Sequence, residues 1–417
     1  MADESTHAPS GLLAGVRILE CSTLEPDQMG MILAELGAEV IKIEPPGGDY
    51  VRSEAWPFVD GTSLLHWHCN RGKRSVVIDL RTPGGVETFL DLVRVSEVVL
   101  EGMRAGGLAR RGLTFDRMRE ANPALVHCAL SGWGATGPYR DLPSHGIGFD
   151  AWSGNAPPML DDEGFAAIPP HTSIGTRVGP VWGAMAVCAA LIRARATGVG
   201  VSVEIAQSDA AAMTNWLRIE GHRAHERPVA EVTGNPADGG ERRVPGIEGM
   251  RSSVRYQYYR TRDGHVLLMA SERAFWRNFC VGVGRNDLFD DRPGAEIGDH
   301  AVGDRKLQAT LQSIFETRTT DEWVDFGLEH NCPIGPVNDS RDIGRDRQFR
   351  HRLPWLPASE FVADMMPTPV NVVGAPRPPT RPAPSVGEHT DEVLTSVLHY
   401  DANRLDELKA GGAVANG

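Results

Sequence analysis

The sequence predicts an α/β protein in which a large Rossmann-like, doubly wound domain is joined to a small α/β domain. Three observations carry this reading. Apolar β-branched stretches alternate with helically spaced ones over the first 130 residues, and strands alternating with helices imply a parallel sheet. The chain has 417 residues, more than the roughly 250 to 300 that one hydrophobic core sustains. Around residues 227–251 the composition turns polar and rich in Gly and Pro, as in TGNPADGGERRVPGIEGMR, which marks a linker. The expected division is a large domain over 11–222 completed by 345–417, a linker over 223–250 and a small domain over 251–344.

Each element has its own signal. GVRILECS (Gly15 to Ser22) is apolar and β-branched, DQMGMILAELGA (Asp27 to Ala38) has helical spacing ending near Gly37, and EVIKIE (Glu39 to Glu44) alternates again. A second unit repeats the scheme with SVVIDL (Ser75 to Leu80), a helix from Thr82 to Val95 and EVVLE (Glu97 to Glu101). A short helix at Phe115 to Ala121 leads to the strand LVHCALS (Leu125 to Ser131). The apolar run Val178 to Ile192 predicts a buried helix, stopped where RARATGVG sets basic residues before glycines. Beyond the linker, YQYYRTRDGHVLLMAS reads as a hairpin about Asp263 and Gly264, followed by helices from Ala274, Arg305 and Thr320. A Pro-rich tail closes with helices from Thr390 to His399 and Ala402 to Lys409.

Composition excludes several classes. A net charge of -13 and a pI near 5.6 argue against a nucleic-acid or anionic-membrane surface. Six cysteines stand singly, with no CxxC pair and no metal-like spacing, as expected of reduced structural thiols in a cytoplasmic protein. The N-terminus lacks the basic and apolar regions of a secretory signal. The run Val178 to Ile192 falls short of the roughly 18 residues of a membrane span. The first β-α turn, CSTLEPDQMG, lacks the G-x-G-x-x-G that brings a pyrophosphate to the backbone, so no nicotinamide or flavin is expected; no tightly bound cofactor and no metal is predicted.

The chemistry-bearing residues cluster at predicted strand ends. NRGKRSVVIDL puts Arg71, Lys73 and Arg74 just before a strand, and EGMRAGGLARRG puts Arg104, Arg110 and Arg111 just after one. Two basic clusters at neighbouring strand ends suit a ligand with several phosphates, because a guanidinium grips phosphate bidentately; each cluster alone equally suits a solvated face. SGWGATGPYRDLPSHGIGFDAWSG (Ser131 to Gly154) holds His145 in a Gly-rich loop beyond a strand end, where an imidazole can both take and give a proton near neutral pH. Met159, Trp152 and Trp182 are candidates for an apolar acyl pocket or plain core.

These residues bring a resemblance. GVRILECS, ELGAEVIKIEPPGGDYVR, NRGKRSVVIDLRTPGG, SEVVLEGMRAGGLARRG, SGWGATGPYRD, CPIGPVND and PSVGEHTDEVL, in this order, resemble the class III CoA-transferase family of CaiB/BaiF type, from Gly11 to Val414. The family includes transferases and racemases, and LEGMRAG, SGWGATGP and the His of SHGIGFDAWSG are more similar to the racemase branch. The resemblance implies two subunits interlocked as rings, with an acyl-CoA as substrate. It places Arg71, Lys73, Arg74, Arg104 and Arg110, with Gly102 and Met103, on a CoA groove. It makes His145 a catalytic base partnered by Glu272 of ASERAFW.

At IPPHTSIGTRVGPVWGAM the chain departs from the family. An Asp there is the nucleophile of the transferases and the second base of the racemases; aligned backward from AALIRARATG, it falls on Thr176 or, with one gap, Gly175. No Asp or Glu occurs between Glu163 and Glu204. A Thr hydroxyl needs a base to become a nucleophile, and His171 either supplies it, replaces the missing carboxylate, or merely caps the helix. The first expectation is therefore α-proton chemistry, racemisation or isomerisation, on a CoA thioester through His145 and Glu272. The alternatives are CoA transfer between carboxylic acids, with a related Asp-containing subunit as partner, and a non-catalytic CoA-binding subunit. The family offers a precedent in a heteromeric transferase, one of whose two related subunits lacks the Asp. Homodimer and heterodimer both stay open.

Overall fold

In a computed structural model that describes residues 11–170, 173–232, 248–296 and 298–416, the chain divides into two units, residues 1–215 with 353–417 and residues 216–352.

In the first unit, six parallel strands and one antiparallel edge form a single sheet. The strands are β1 (Arg17–Ser22), β2 (Glu39–Glu44), β3 (Lys73–Ile78), β4 (Val98–Gly102), β5 (Val126–Ser131) and β6 (Val201–Ala206). They lie in the order β6, β5, β4, β1, β2, β3, and Val414–Ala415 pairs antiparallel to β3. This is the doubly wound order, whose chain direction reverses between β1 and β4; ligands bind outside the carboxyl ends at that switch point. The predicted strands lie within two residues of those observed, because each is a short β-branched run buried on both faces.

Both faces of the sheet are covered. On one lie α1 (Gln28–Glu35) and the long helix Gly175–Thr197, with Met29, Leu33, Val187 and Leu191 packed on Ile18, Val40 and Leu130. On the other lie the helices Pro83–Arg94 and Phe115–Ala121 and the two C-terminal helices, around Phe89, Leu92 and Val393. Gly183 lets the long helix sit directly on α1, since a Cβ there would overlap Met29 Sδ.

This helix corrects one expectation. It starts at Gly175, is 23 residues long and is not buried all round, for Val181, Trp182, Met185 and Ile192 are exposed. By length and composition alone it could cross a membrane, yet its other face is seated on the sheet. The uncharged run concealed two faces of different fate.

The second unit is a three-stranded antiparallel sheet, Tyr256–Arg260, His265–Met269 and Ile334–Pro336, packed on helices Arg273–Gly282, Arg305–Phe315 and Thr320–Glu329 through an aromatic core of Tyr259, Trp276, Phe279, Phe315 and Trp323. Thr319 and Glu322 cap the last helix reciprocally. Of the predicted linker, 223–250, the first three residues end the helix Trp216–His225, and 233–247 lies outside the described residues, as does His171.

Candidate active site

A cleft of about 260 Å³ opens outside the carboxyl ends of β1, β4 and β5. Its floor exists because two backbones come close: a Cβ at Gly102, the last residue of β4, would overlap Ser22 Cβ and stand 2.7 Å from Pro26 Cβ. On the β5 side, a Cβ at Gly132 would overlap Ser144 Oγ. Glycine at both places lets the loops after the strands converge, and His145 lines the cleft from the second loop. Thr176, in the first turn of the helix Gly175–Thr197, lines it too.

The first turn of that helix is held from a distance. Asp150 Oδ1 accepts hydrogen bonds from Ile174 N at 2.9 Å and Gly175 N at 3.3 Å, so a carboxylate 24 residues upstream caps the helix. Asp150 is wholly buried and does not line the cleft; it positions the turn rather than reacting. The carbonyl of Thr176 would bond to the residue four places on, but that residue is Pro180, which has no N–H. Thr176 itself is buried, and its hydroxyl has no partner among the described residues. The same holds for the Oε1 atom of Gln207, at the start of the helix Gln207–Thr214, and for the indole Nε1 of Trp133. All three residues line the one cleft. Among the residues lining it Glu25 is the only carboxylate, while Arg104 and Arg140 supply positive charge.

Thr23, Tyr50 and Met103 are shared with a second hollow that runs past Cys21 and Gly48 to Arg81 and Arg111. These two arginines, with Arg110 and Arg117, line a third hollow. Through these shared residues the three hollows form a series, with Thr176 and His145 on the first and four guanidinium groups on the third. Cys21 lies on the wall of the second, and burial pushes its thiol far above the ordinary range, which keeps it unreactive.

Arg71 and the first two residues of β3, Lys73 and Arg74, lie elsewhere, and here the expectation from resemblance needs correction. Lys73 is wholly buried, ion-paired with Glu20 and donating to Asp27 O at 2.7 Å and Asn70 Oδ1 at 3.0 Å. Arg71 is 1% exposed, paired with Glu35 and donating to His68 O and Met366 O. Arg74 pairs with Glu39 and Glu392. Their charge is already neutralised inside the unit, since a buried cation persists only when paired and hydrogen-bonded. A sequence shows a cluster of cations; it does not show the carboxylates that fold against them. Arg104, Arg110, Gly102 and Met103 do line the hollows.

Beneath the hollows the same network continues. Lys42 Nζ donates to both oxygens of Asp27, at 2.7 and 2.8 Å, and to Asp49 Oδ2 at 2.8 Å. Asp49 Oδ1 in turn accepts from Thr23 Oγ1 at 2.7 Å, and Thr23 faces both hollows. Burial raises Asp49, against the pull of Lys42. Burial also pushes Asp27 up, but the ammonium groups of Lys42 and Lys73 outweigh it and hold Asp27 below the usual carboxylate range.

Glu272 lies in the second unit, preceding the helix Arg273–Gly282 and accepting from Ser271 Oγ at 3.0 Å; His145 lies in the first. Sequence reasoning did not single out Gln207 or Trp133. No local signal marks them, because an orphaned polar atom becomes visible only when neighbours exclude water.

A family model described as CoA-transferase family III matches residues 13–390. A succinate–glutarate CoA-transferase of Agrobacterium fabrum is 29% identical over 413 residues, covering 95% of this chain and 98% of its own. The beta subunit of a succinyl-CoA–L-malate CoA-transferase of Chloroflexus aurantiacus is 27% identical, covering 95% and 97%. A probable fatty acyl-CoA transferase of Mycobacterium tuberculosis is 32% identical over 328 residues, covering 77% and 81%. Its crystal structure aligns with a TM-score of 0.74 at 26% identity, over 92% of this chain and 99% of that one.

Proposed function

This chain belongs to CoA-transferase family III, and from that premise we propose that it moves CoA from an acyl-CoA to a free carboxylic acid. The net reaction is RCO–SCoA plus R′COO⁻ giving RCOO⁻ plus R′CO–SCoA. The observation that carries it is the series of hollows that share lining residues, polar at Thr176 and His145 and basic at Arg81, Arg110, Arg111 and Arg117. A CoA thioester has this polarity along its length, an acyl thioester at one end and phosphates at the other. Arginine holds such phosphates in fixed geometry, and the first hollow lies at the sheet's switch point, where a doubly wound fold binds its ligands.

In this reading His145, exposed on the cleft wall, stands by the thioester to stabilise the departing thiolate. The relatives named above are transferases acting on succinate, glutarate, malate or fatty acyl groups. They favour transfer over the α-proton chemistry that the His145 motif first suggests. One relative is the beta subunit of its enzyme, which supports a pairing either with itself or with a related chain.

The test is to incubate purified protein with a panel of acyl-CoAs, with and without succinate, glutarate and short fatty acids, in deuterium oxide. Mass spectrometry should find the CoA ester of the added acid only when acid is present. A one-unit mass gain at the α-carbon without acid, abolished in His145→Ala, would instead establish α-proton chemistry.

A further inference from the structure

Thr176 Oγ1, Gln207 Oε1 and Trp133 Nε1 are all buried, all lack a hydrogen-bond partner among the described residues and all belong to residues lining one cleft. Thr176 and Gln207 are 3% and 6% exposed as whole residues. They are neighbours by packing. A Cβ at Gly179, one turn after Thr176, would stand 3.1 Å from Gln207 Cγ, and one at Gly175 would stand 3.0 Å from Gln207 O and 2.9 Å from Phe149 Cβ. Phe149 carries the indole of Trp133 edge-on, with ring centroids 5.4 Å apart. Three polar groups on one cleft without partners among the described residues are not an accident that folding tolerates cheaply, since each buried orphan is destabilising. The Thr hydroxyl and the indole N–H can donate to a ligand that brings acceptors, and Gln207 can do so with its carboxamide turned over.

From this constellation we propose that Thr176, Gln207 and Trp133 form the subsite for the acceptor acid's carboxylate, which attacks the thioester directly from there. The proposal rests on the transferase reading above. The indole N–H and the Thr hydroxyl donate; the carboxamide of Gln207 turns its NH₂ inward as readily as its oxygen, because its orientation follows the partner offered. Neutral donors hold the anion without the direct ion pair that would quench its nucleophilicity.

The step balances without an enzyme carboxylate. One oxygen of R′COO⁻ bonds to the thioester carbon, the C–S bond breaks and CoAS⁻ leaves, giving the free mixed anhydride RCO–O–COR′. CoAS⁻ then bonds to the R′ carbonyl carbon, the bridging C–O bond breaks, and RCOO⁻ departs with the oxygen that came from the acceptor. Thr176 thus serves as a donor in place of a nucleophile.

Two readouts test this. With indole-¹⁵N-tryptophan, the full-length protein has nine indole signals, and the one missing in Trp133→Phe is that of Trp133. Acetate or succinate, added in the presence of CoA, should shift it, and should fail to do so at about ten times the concentration in Gln207→Leu, whose thermal midpoint is unchanged or raised because a buried orphan is gone. No shift at saturating acid overturns the subsite, whether or not transfer occurs. In a single turnover with enzyme in excess and ¹⁸O-labelled acceptor, one ¹⁸O should appear in the released donor acid. Unlabelled donor acid overturns direct attack while leaving the transferase reading intact, and hydroxylamine trapping at Glu25 would then identify the nucleophile. If no acid receives CoA, the transferase reading and direct attack fail together, and the Trp133 signal alone still decides whether the subsite binds a carboxylate.

Discussion

Arg111 shares with Arg81 the junction of the second hollow and the third, and among the described residues its guanidinium makes no hydrogen bond or ion pair. Its neighbours differ: Arg81 is bidentate with Asp79, Arg117 pairs with Glu87 and Arg110 donates to Ala105 O. A free guanidinium loses least when it turns to a phosphate. Arg111→Ala should therefore raise KM for acyl-CoA about ten-fold, the ~1.4 kcal/mol expected of one charge-assisted contact, while kcat and the acceptor KM stay put. Steady-state kinetics with both substrates varied would reveal it, and an equal loss in kcat would remove Arg111 from ground-state binding. Residue type and position made the cluster after β4 legible in the sequence, but not which cations were free. Lys73 and Arg71 read like Arg110 as letters; only the fold sets Glu20 and Glu35 against them.

The elements themselves were the most legible part, because strand β1 at Arg17–Ser22 and the helix Pro83–Arg94 each carry a local period and a local stop. What the period cannot supply is the contact between strand ends, and that contact makes the cleft. Gly102 ends β4 against Ser22 at the end of β1, in parallel register with it, and has no room for a side chain. Gly102→Val would force the two ends apart at the switch point. The expected cost is about 1–3 kcal/mol in stability, typical of overpacking, together with loss of acyl-CoA binding out of proportion to it. Urea unfolding alongside CoA titration would check this, and a variant that is destabilised yet binds CoA normally would show that the close approach serves only the fold. The capping of Ile174 and Gly175 by Asp150 belongs to the same class. A helix start is predicted from the residue just before it, so a cap arriving from 24 residues away leaves no trace in local sequence.

Across the whole first unit, ionisable groups fill space between β1, β2, β3 and their helices, and this sets how the molecule should respond to acid. Arg52 Nη1 lies 2.9 Å from His66 Nε2 and Arg71 Nη1 lies 3.0 Å from His68 Nδ1. A guanidinium only donates, so each imidazole nitrogen must accept, which requires the neutral ring. Burial first, then the neighbouring arginine, lowers both histidines to about 4. In the unfolded chain an imidazole protonates near 6.5. Between those values the unfolded state binds more protons than the folded one, so stability falls as pH drops from about 6.5 towards 4. Each histidine contributes on the order of 2–3 kcal/mol to that fall. Glu20 and Asp49, raised chiefly by burial, act in the opposite sense, since they take up protons in the folded state first. The net slope is thus a contest, and a single substitution separates it. His66→Gln keeps an acceptor for Arg52 but cannot titrate, so its urea midpoint should fall less steeply than that of the parent protein between pH 6.5 and 4. If the two curves stay parallel, His66 takes up its proton as readily in the folded protein as in the unfolded chain, and the Arg52 contact does not hold the ring neutral.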